Sequence, residues 1–406
     1  MKVIISSFGT LGSATGAGSV AFELSRHFHG LSALERVLCL DYDEKRIGEL
    51  CDSAVKVVPK WSAQGISWRL LNKVERVVLG TRHYGRILGE MAFDRASVRC
   101  LTGADILHAI RPVVPHTIEA ARRLGMVTTA ISATCHARFN KEIMDQEQEK
   151  YGLPCIDTYC DEARVGRMEE VYEHLDWIIT WCDFVAQTYV EYGVPREKIR
   201  VLPVPLGFPS PIDVTKRASP GRLQVLYVAH TNLLKGLHYL LGAWESYGLH
   251  KIGHLTVCGT IDRNTRRIIE RQGWRLHDVD FLGAVRAHPY YEQADVVVVP
   301  SLSEGFGYVA AEAMAYSIPV IVTEHCGNKT VVEEYETGFV VPVRSEEAIA
   351  QAIVKLRGSP ELGQYYGRNG REAAIRFTWE NYSHRLFEEF EEILRHAPTC
   401  RQPGLS

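Results

Sequence analysis

The sequence predicts an α/β chain made of two doubly wound parallel-sheet domains. Short apolar strand signals alternate with helical segments along nearly the whole chain, which is the pattern of βαβ units. The series stops once and then restarts. The break falls at Pro203-Val-Pro-Leu-Gly-Phe-Pro-Ser-Pro211, a stretch too rich in proline to be the interior of any element. At 406 residues the chain has room for one domain on each side of it.

The first series opens with a strand at Val3–Ser6, a glycine-bearing loop and a helix over Ser19–Phe28, then a strand at Arg36–Leu40. Further strands are predicted at Ile106–Ile110, Met126–Ile131, Trp177–Thr180 and Ile199–Leu202. The second series begins at Leu223–Ala229 and continues through His254–Cys258, Val279–Leu282, Val296–Val299 and Val320–Thr323. A last helix starting after Thr378 carries Tyr382, Leu386, Phe387, Phe390, Ile393 and Leu394 at helical spacing. These signals divide the chain into a first domain (1–205), a linker (206–221), a second domain (222–377), the last helix (378–396) and a tail (397–406) expected to be disordered.

Composition excludes several classes. The chain is 46% hydrophobic and 23% charged with a net charge of −3, ordinary for a globular protein and without the basic excess of a nucleic-acid binder. No apolar run approaches the length needed to cross a bilayer. Met1-Lys-Val-Ile-Ile-Ser6 reads as a first strand, too short for a signal peptide, so a cytoplasmic location is expected. The ten cysteines form no Cys-x-x-Cys, and neither Cys135-His136 nor His27-Phe-His29 belongs to a four-ligand pattern, so no metal site is read.

The most informative stretch is Pro300 to Pro319. Val296–Val299 is an unbroken β-branched run, a strand buried on both faces. Gly305 and Gly307 free the backbone to turn, and Ala310, Ala311, Ala313 and Ala315 favour the helix that follows. The first N–H groups of that helix lie at its positive end, where a pyrophosphate fits. Glu304 stands in the turn beside whatever follows the terminal phosphate. Glu312 lies roughly 7 Å along the helix axis, placed to accept both hydroxyls of a ribose. A glycosidase pair would need carboxyls facing each other across a sugar ring, which a loop residue and a helix residue do not provide.

The segment resembles the signature of retaining glycosyltransferases of family 4, enzymes of the two-domain GT-B fold. It shares their proline-serine strand end, two glutamates separated by seven residues, a Gly-Phe-Gly turn and an Ala-rich helix closed by proline. The likeness continues through Pro319-Val-Ile-Val-Thr323, Gly327 and Thr337-Gly-Phe-Val340. Ser317 departs from it, standing where the family usually has glycine. The resemblance implies two Rossmann-like domains facing a cleft, with the helix opened by Phe377-Thr-Trp-Glu380 crossing back to the first domain. It implies donor contacts from Gly305, Phe306, Gly307 and Glu312, and phosphate contact from Lys235. His230 occupies the position of an arginine that, in the family, shares the diphosphate with this lysine. Gly16 and Gly18, in the loop after the first strand, would approach the donor phosphates, and His136 would contact the donor sugar. Glu304, Lys235 and His136 are thus the candidate catalytic residues.

The implied activity is transfer of a hexosyl unit from a UDP- or GDP-linked sugar to an acceptor hydroxyl with retention of anomeric configuration. It requires no tightly bound cofactor and no metal, and belongs to polysaccharide, glycolipid or glycoconjugate synthesis. The same fold also serves nucleotide-sugar epimerases and glycoside phosphorylases, and His230 keeps open a silent nucleotide-binding module. Residues 60–90 carry six basic side chains against Glu75 and Glu90, interleaved with Trp61, Trp68, Leu70 and Leu71. This stretch reads either as a solvated helix packed on its own domain or as a peripheral membrane contact for a lipid-linked acceptor. Asp41-Tyr-Asp43 reads as a strand end that touches the acceptor or caps a helix.

Overall fold

The computed structural model describes residues 1–13, 17–58, 70–71, 73–74, 83–154, 157–203, 221–376 and 378–396. Gly16, the linker 206–220, the tail 397–406 and most of the basic stretch lie outside them. The first sheet comprises β1 (Val3–Leu11), β2 (Leu34–Tyr42), β3 (Ala54–Lys56), β4 (Ile106–Ile110), β5 (Val127–Ser132), β6 (Trp177–Thr180) and β7 (Ile199–Val201), in the order β3-β2-β1-β4-β5-β6-β7. The second comprises β8 (Leu223–Val228), β9 (Gly253–Cys258), β10 (Val279–Gly283), β11 (Val296–Val299), β12 (Val320–Thr323) and β13 (Gly338–Val341), in the order β10-β9-β8-β11-β12-β13. Neighbouring strands are parallel throughout both sheets.

The expected strands are all present. The structure adds β3 and β13, short strands at the sheet edges, which pair along β2 and β12. In each sheet the winding reverses once, between β1 and β4 and between β8 and β11. Ligands of doubly wound sheets bind at such points, beyond the carboxyl ends of the strands.

Six helices bear on the site: α1 (Ala17–Gly30), α2 (His83–Ser97), α3 (Ala137–Tyr151), α4 (Glu162–His174), α5 (Tyr308–Ala315) and α6 (Trp379–His396). Although it follows the second domain in sequence, α6 buries Tyr382, Leu386, Phe390 and Ile393 in the core of the first. Its Phe390 ring stacks on Phe28 of α1 at 5.8 Å, and Trp181 Nε1 donates to the Tyr382 hydroxyl at 3.2 Å. Each such buried side chain contributes about 1.5–3 kcal/mol by leaving water. That burial holds the crossing helix to the first domain and brings the two sheets' reversal points to one interface. No helix among the described residues is long and apolar enough to cross a membrane.

Candidate functional site

The turn after β11 is fixed by close backbone packing. Gly307 has φ +93°, and a Cβ there would meet Cys326 Sγ at 2.6 Å. A Cβ on Gly305 would fall 1.8 Å from the carbonyl oxygen of Ala133, across the interface in the first domain. Glu304 N donates to the His325 carbonyl and Gly327 N to the Glu304 carbonyl, both at 3.0 Å. Asn328 N donates to the Phe306 carbonyl at 2.8 Å, and Asn328 Nδ2 to the Gly307 carbonyl at 3.1 Å. These bonds aim the start of α5 at the interface, with its first N–H groups lacking helical acceptors.

Lys235 reaches the same turn from β8. Its position depends on Gly236, at φ +63°, where a Cβ would sit 1.9 Å from the Pro300 carbonyl oxygen. Leu302 N donates to the Leu234 carbonyl at 2.7 Å and ties the two loops together. Lys235 Nζ lies 2.5 Å from Glu304 Oε2, with side chains 30% and 19% exposed. Ser301 Oγ donates to the same carboxylate oxygen at 3.3 Å. Burial disfavours the ammonium, but the charge and hydrogen bond of Glu304 outweigh it and hold the Lys235 pKa above its ordinary value.

Glu312, the fifth residue of α5, is reached by the Tyr291 hydroxyl, which donates to Oε2 at 2.5 Å. Burial pushes its carboxyl pKa up, opposed by that hydrogen bond and by His288. Glu312 and Tyr308 line the interface from the second domain. His230 is exposed past the end of β8, with Nδ1 3.4 Å from Thr260 Oγ1.

Other expected site residues sit differently. His136 does not face the cleft. It caps α3, its Nδ1 accepting from Arg138 N at 3.2 Å, and its ring is 2% exposed among Tyr172, Tyr189 and Tyr192. Burial lowers its pKa to about 4. Phe306 lies in the turn, but its ring is buried in the first domain's core cluster, so it anchors the interface. Gly18 is a packing glycine: a Cβ there would meet the Thr10 carbonyl oxygen at 1.9 Å. Asp43 caps a short helix by accepting from Lys45 N at 3.0 Å, and Asp41 pairs with Lys56 at 3.3 Å. Ser317 adopts φ +58°, the left-handed conformation that a glycine takes without strain. Among the described residues no group of three His, Cys, Asp or Glu side chains is placed to hold a metal ion.

Sequence reasoning missed the first domain's share of the interface. Ser303 Oγ donates to Asn140 Oδ1 at 2.6 Å and Cys182 Sγ to the Gly305 carbonyl at 3.2 Å, both across the domain boundary. A cavity of about 340 Å³ opens beside them, lined by Arg86, Arg111, Arg164 and Tyr159 together with Tyr308 and Glu312. Arg111-Pro112 directly after β4 was the one local signal, a charged residue at the carboxyl end of a strand.

Residues 212–373 match the family model described as "Glycosyl transferases group 1". The D-inositol 3-phosphate glycosyltransferase of Segniliparus rotundus is 32% identical over 234 residues, 52% of each chain. The uncharacterized glycosyltransferase MJ1607 of Methanocaldococcus jannaschii is 29% identical over 248 residues, 56% of this chain and 63% of that one. The chain thus spans between half and two thirds of the length of these curated relatives. Among solved structures, sucrose-phosphate synthase from Thermosynechococcus elongatus superposes with TM-score 0.67 at 20% identity, covering 98% of this chain and 100% of that one. Anabaena HepE in complex with UDP-glucose superposes with TM-score 0.66 at 15% identity, covering 97% and 100%. Residues 212–373 thus match the glycosyl transferases group 1 family, and the described residues share the GT-B fold of these solved structures.

Proposed function

We propose that the protein is a glycosyltransferase that moves a hexosyl unit from a nucleotide diphosphate sugar, UDP- or GDP-linked, to an acceptor hydroxyl with retention at the anomeric carbon. The observation that carries this is the 2.5 Å Lys235–Glu304 pair at the start of α5, at the reversal point of the second sheet. The diphosphate enters at the first N–H groups of α5, and Lys235 turns from Glu304 to a phosphate oxygen. Glu304 is then released to accept hydrogen bonds from the sugar hydroxyls, and Glu312 takes the ribose hydroxyls. As the glycosyl bond breaks, Lys235 and the helix amides stabilise the charge that builds on the leaving diphosphate, with no metal in this scheme. The acceptor hydroxyl attacks from the face the diphosphate is leaving and gives its proton to a departing phosphate oxygen.

HepE's complex with UDP-glucose supports a uridine donor for a chain of the same fold. His136 has no part in the proposal, and the exposed His230 stands at the diphosphate's edge without the fork of an arginine. The test is a thermal-shift screen against uridine, guanosine and adenosine diphosphate sugars, followed by product analysis with acceptor. Release of nucleoside diphosphate coupled to a glycoside with the donor's own anomeric configuration supports the reading, and an inverted product contradicts it.

A further inference from the structure

The cationic cavity has more positive charge than its own residues balance. Glu90 of α2, 1% exposed, is the shared counter-ion of three arginines. Arg164 Nε and Nη2 grip it at 2.9 and 3.1 Å, Arg86 Nε lies at 3.1 Å and Arg167 Nη2 at 3.9 Å. Arg111 adds a fourth guanidinium. It follows β4 with φ +105°, a conformation costly for a side-chain-bearing residue and typical of functional positions. Its guanidinium meets no acceptor among the described residues. Burial, then the like charge of Arg86, pulls its pKa down, so the fold bears a cost to keep it charged there. Three guanidiniums on the cavity wall, Arg86, Arg111 and Arg164, against Glu90 behind them and Glu312 across the cavity leave a net positive surface suited to an anion. A phosphate monoester presents three oxygens and close to two charges to forked donors, where a carboxylate presents two oxygens and one.

The location selects which substrate would bring that dianion. The cavity lies on the first domain, at the ends of β4 and β5. It opens toward Tyr308 and Glu312 of the second, and Lys235 and Glu304 are not on its wall. Tyr159 lines the same cavity beside these arginines. A volume of about 340 Å³ suits a group the size of a monosaccharide. We propose that Arg111, with Arg86 and Arg164, forms a subsite for a phosphate monoester carried by the acceptor. The assignment to the acceptor rests on the glycosyltransferase reading above.

The experiment is calorimetry on the full chain saturated with UDP or GDP, whichever binds, titrated with inorganic phosphate and separately with acetate. Phosphate should bind saturably and at least roughly tenfold more tightly than acetate. Arg111→Gln should weaken phosphate roughly ten- to a hundredfold, the loss of charge-assisted hydrogen bonds. Arg111→Lys should recover part of that, and nucleotide affinity should stay unchanged in both variants, which also shows that they fold. Phosphate binding as tight in Arg111→Gln as in the wild type, acetate binding as tight as phosphate, or displacement of phosphate by nucleotide each overturns the subsite. A wild-type chain that binds no nucleoside diphosphate sinks the glycosyltransferase reading and the acceptor assignment together. A chain that binds nucleotide but fails the Arg111 comparison loses the subsite alone.

Discussion

Replacing Lys235 with methionine keeps most of its apolar stem and removes its charge. In the absence of donor, the substitution breaks the 2.5 Å pair and leaves Glu304 with only the Ser301 hydroxyl as a side-chain hydrogen-bond partner among the described residues. Exposed ion pairs contribute about 0–1 kcal/mol, and stripping one partner from a fully buried pair costs about 3–5 kcal/mol. With side chains 30% and 19% exposed, this pair falls between those limits, at about 1–2 kcal/mol. The melting transition should therefore drop by a few degrees, at about 2–4 °C per kcal/mol for a domain of this size. The catalytic effect should be larger. A fixed cation on the leaving diphosphate resembles a donor on a developing oxyanion, whose removal costs about 10²–10³ in rate. The assay is kcat/KM from nucleoside diphosphate release with the preferred nucleotide sugar. A variant within a few-fold of the wild type would refute the role given to Lys235, and a lowered melting temperature alone would not rescue it.

Other outcomes follow from single residues. Ser317→Gly removes a left-handed side-chain-bearing residue and should stabilise the chain by about 0.5–1 kcal/mol, read as a higher denaturant midpoint; an unchanged or lower midpoint contradicts the strain. Gly305→Ala drives a Cβ to 1.8 Å from the Ala133 carbonyl oxygen, so the interface cannot seat; kcat should fall by up to about a hundredfold while nucleotide affinity changes little. His136 has a native pKa lowered to about 4 from 6.5, so in that window the unfolded chain binds a proton that the native ring refuses. Stability is then full above about pH 6.5 and falls as the pH drops toward 4, by at most about 3 kcal/mol from this residue. His136→Asn keeps a capping side chain and should flatten that part of the stability–pH curve; an unaltered slope would count against it.

The architecture was legible because its strands announce themselves in local chemistry. Val296–Val299 is β-branched throughout and buried throughout, and the alanines after Gly307 form the helix they favour. Among the described strands β3 and β13 escaped: β3 is three residues long, and both take their place by pairing along a neighbour. Glu304, Lys235 and the turn glycines come together as the sequence suggests because that geometry is local: a strand end, a turn and a helix start. His136 misled because its neighbours along the chain suggest a loop facing the cleft, whereas its ring is claimed by Tyr172, Tyr189 and Tyr192 from later helices. Arg111 was overlooked for the same reason: Arg86 and Arg164, which make its cavity cationic, arrive from α2 and α4. Phe306 sits within the signature yet packs in the first domain's core, a contact fixed only once α6 and the interface are in place.

Glu312, the second glutamate of the segment that opens α5, carries the proposed placement of the donor. Burial raises its pKa, opposed by the Tyr291 hydrogen bond and by His288, so its carboxylate is held at a desolvation cost that its neighbours only partly offset. Calorimetry of the preferred nucleoside diphosphate against the wild type and Glu312→Ala measures that role apart from catalysis. The account predicts loss of measurable nucleotide binding in the variant while the free protein melts at the same temperature as the wild type or higher. Nucleotide bound as tightly by Glu312→Ala as by the wild type would contradict the ribose contact and, with it, the placement of the donor along α5.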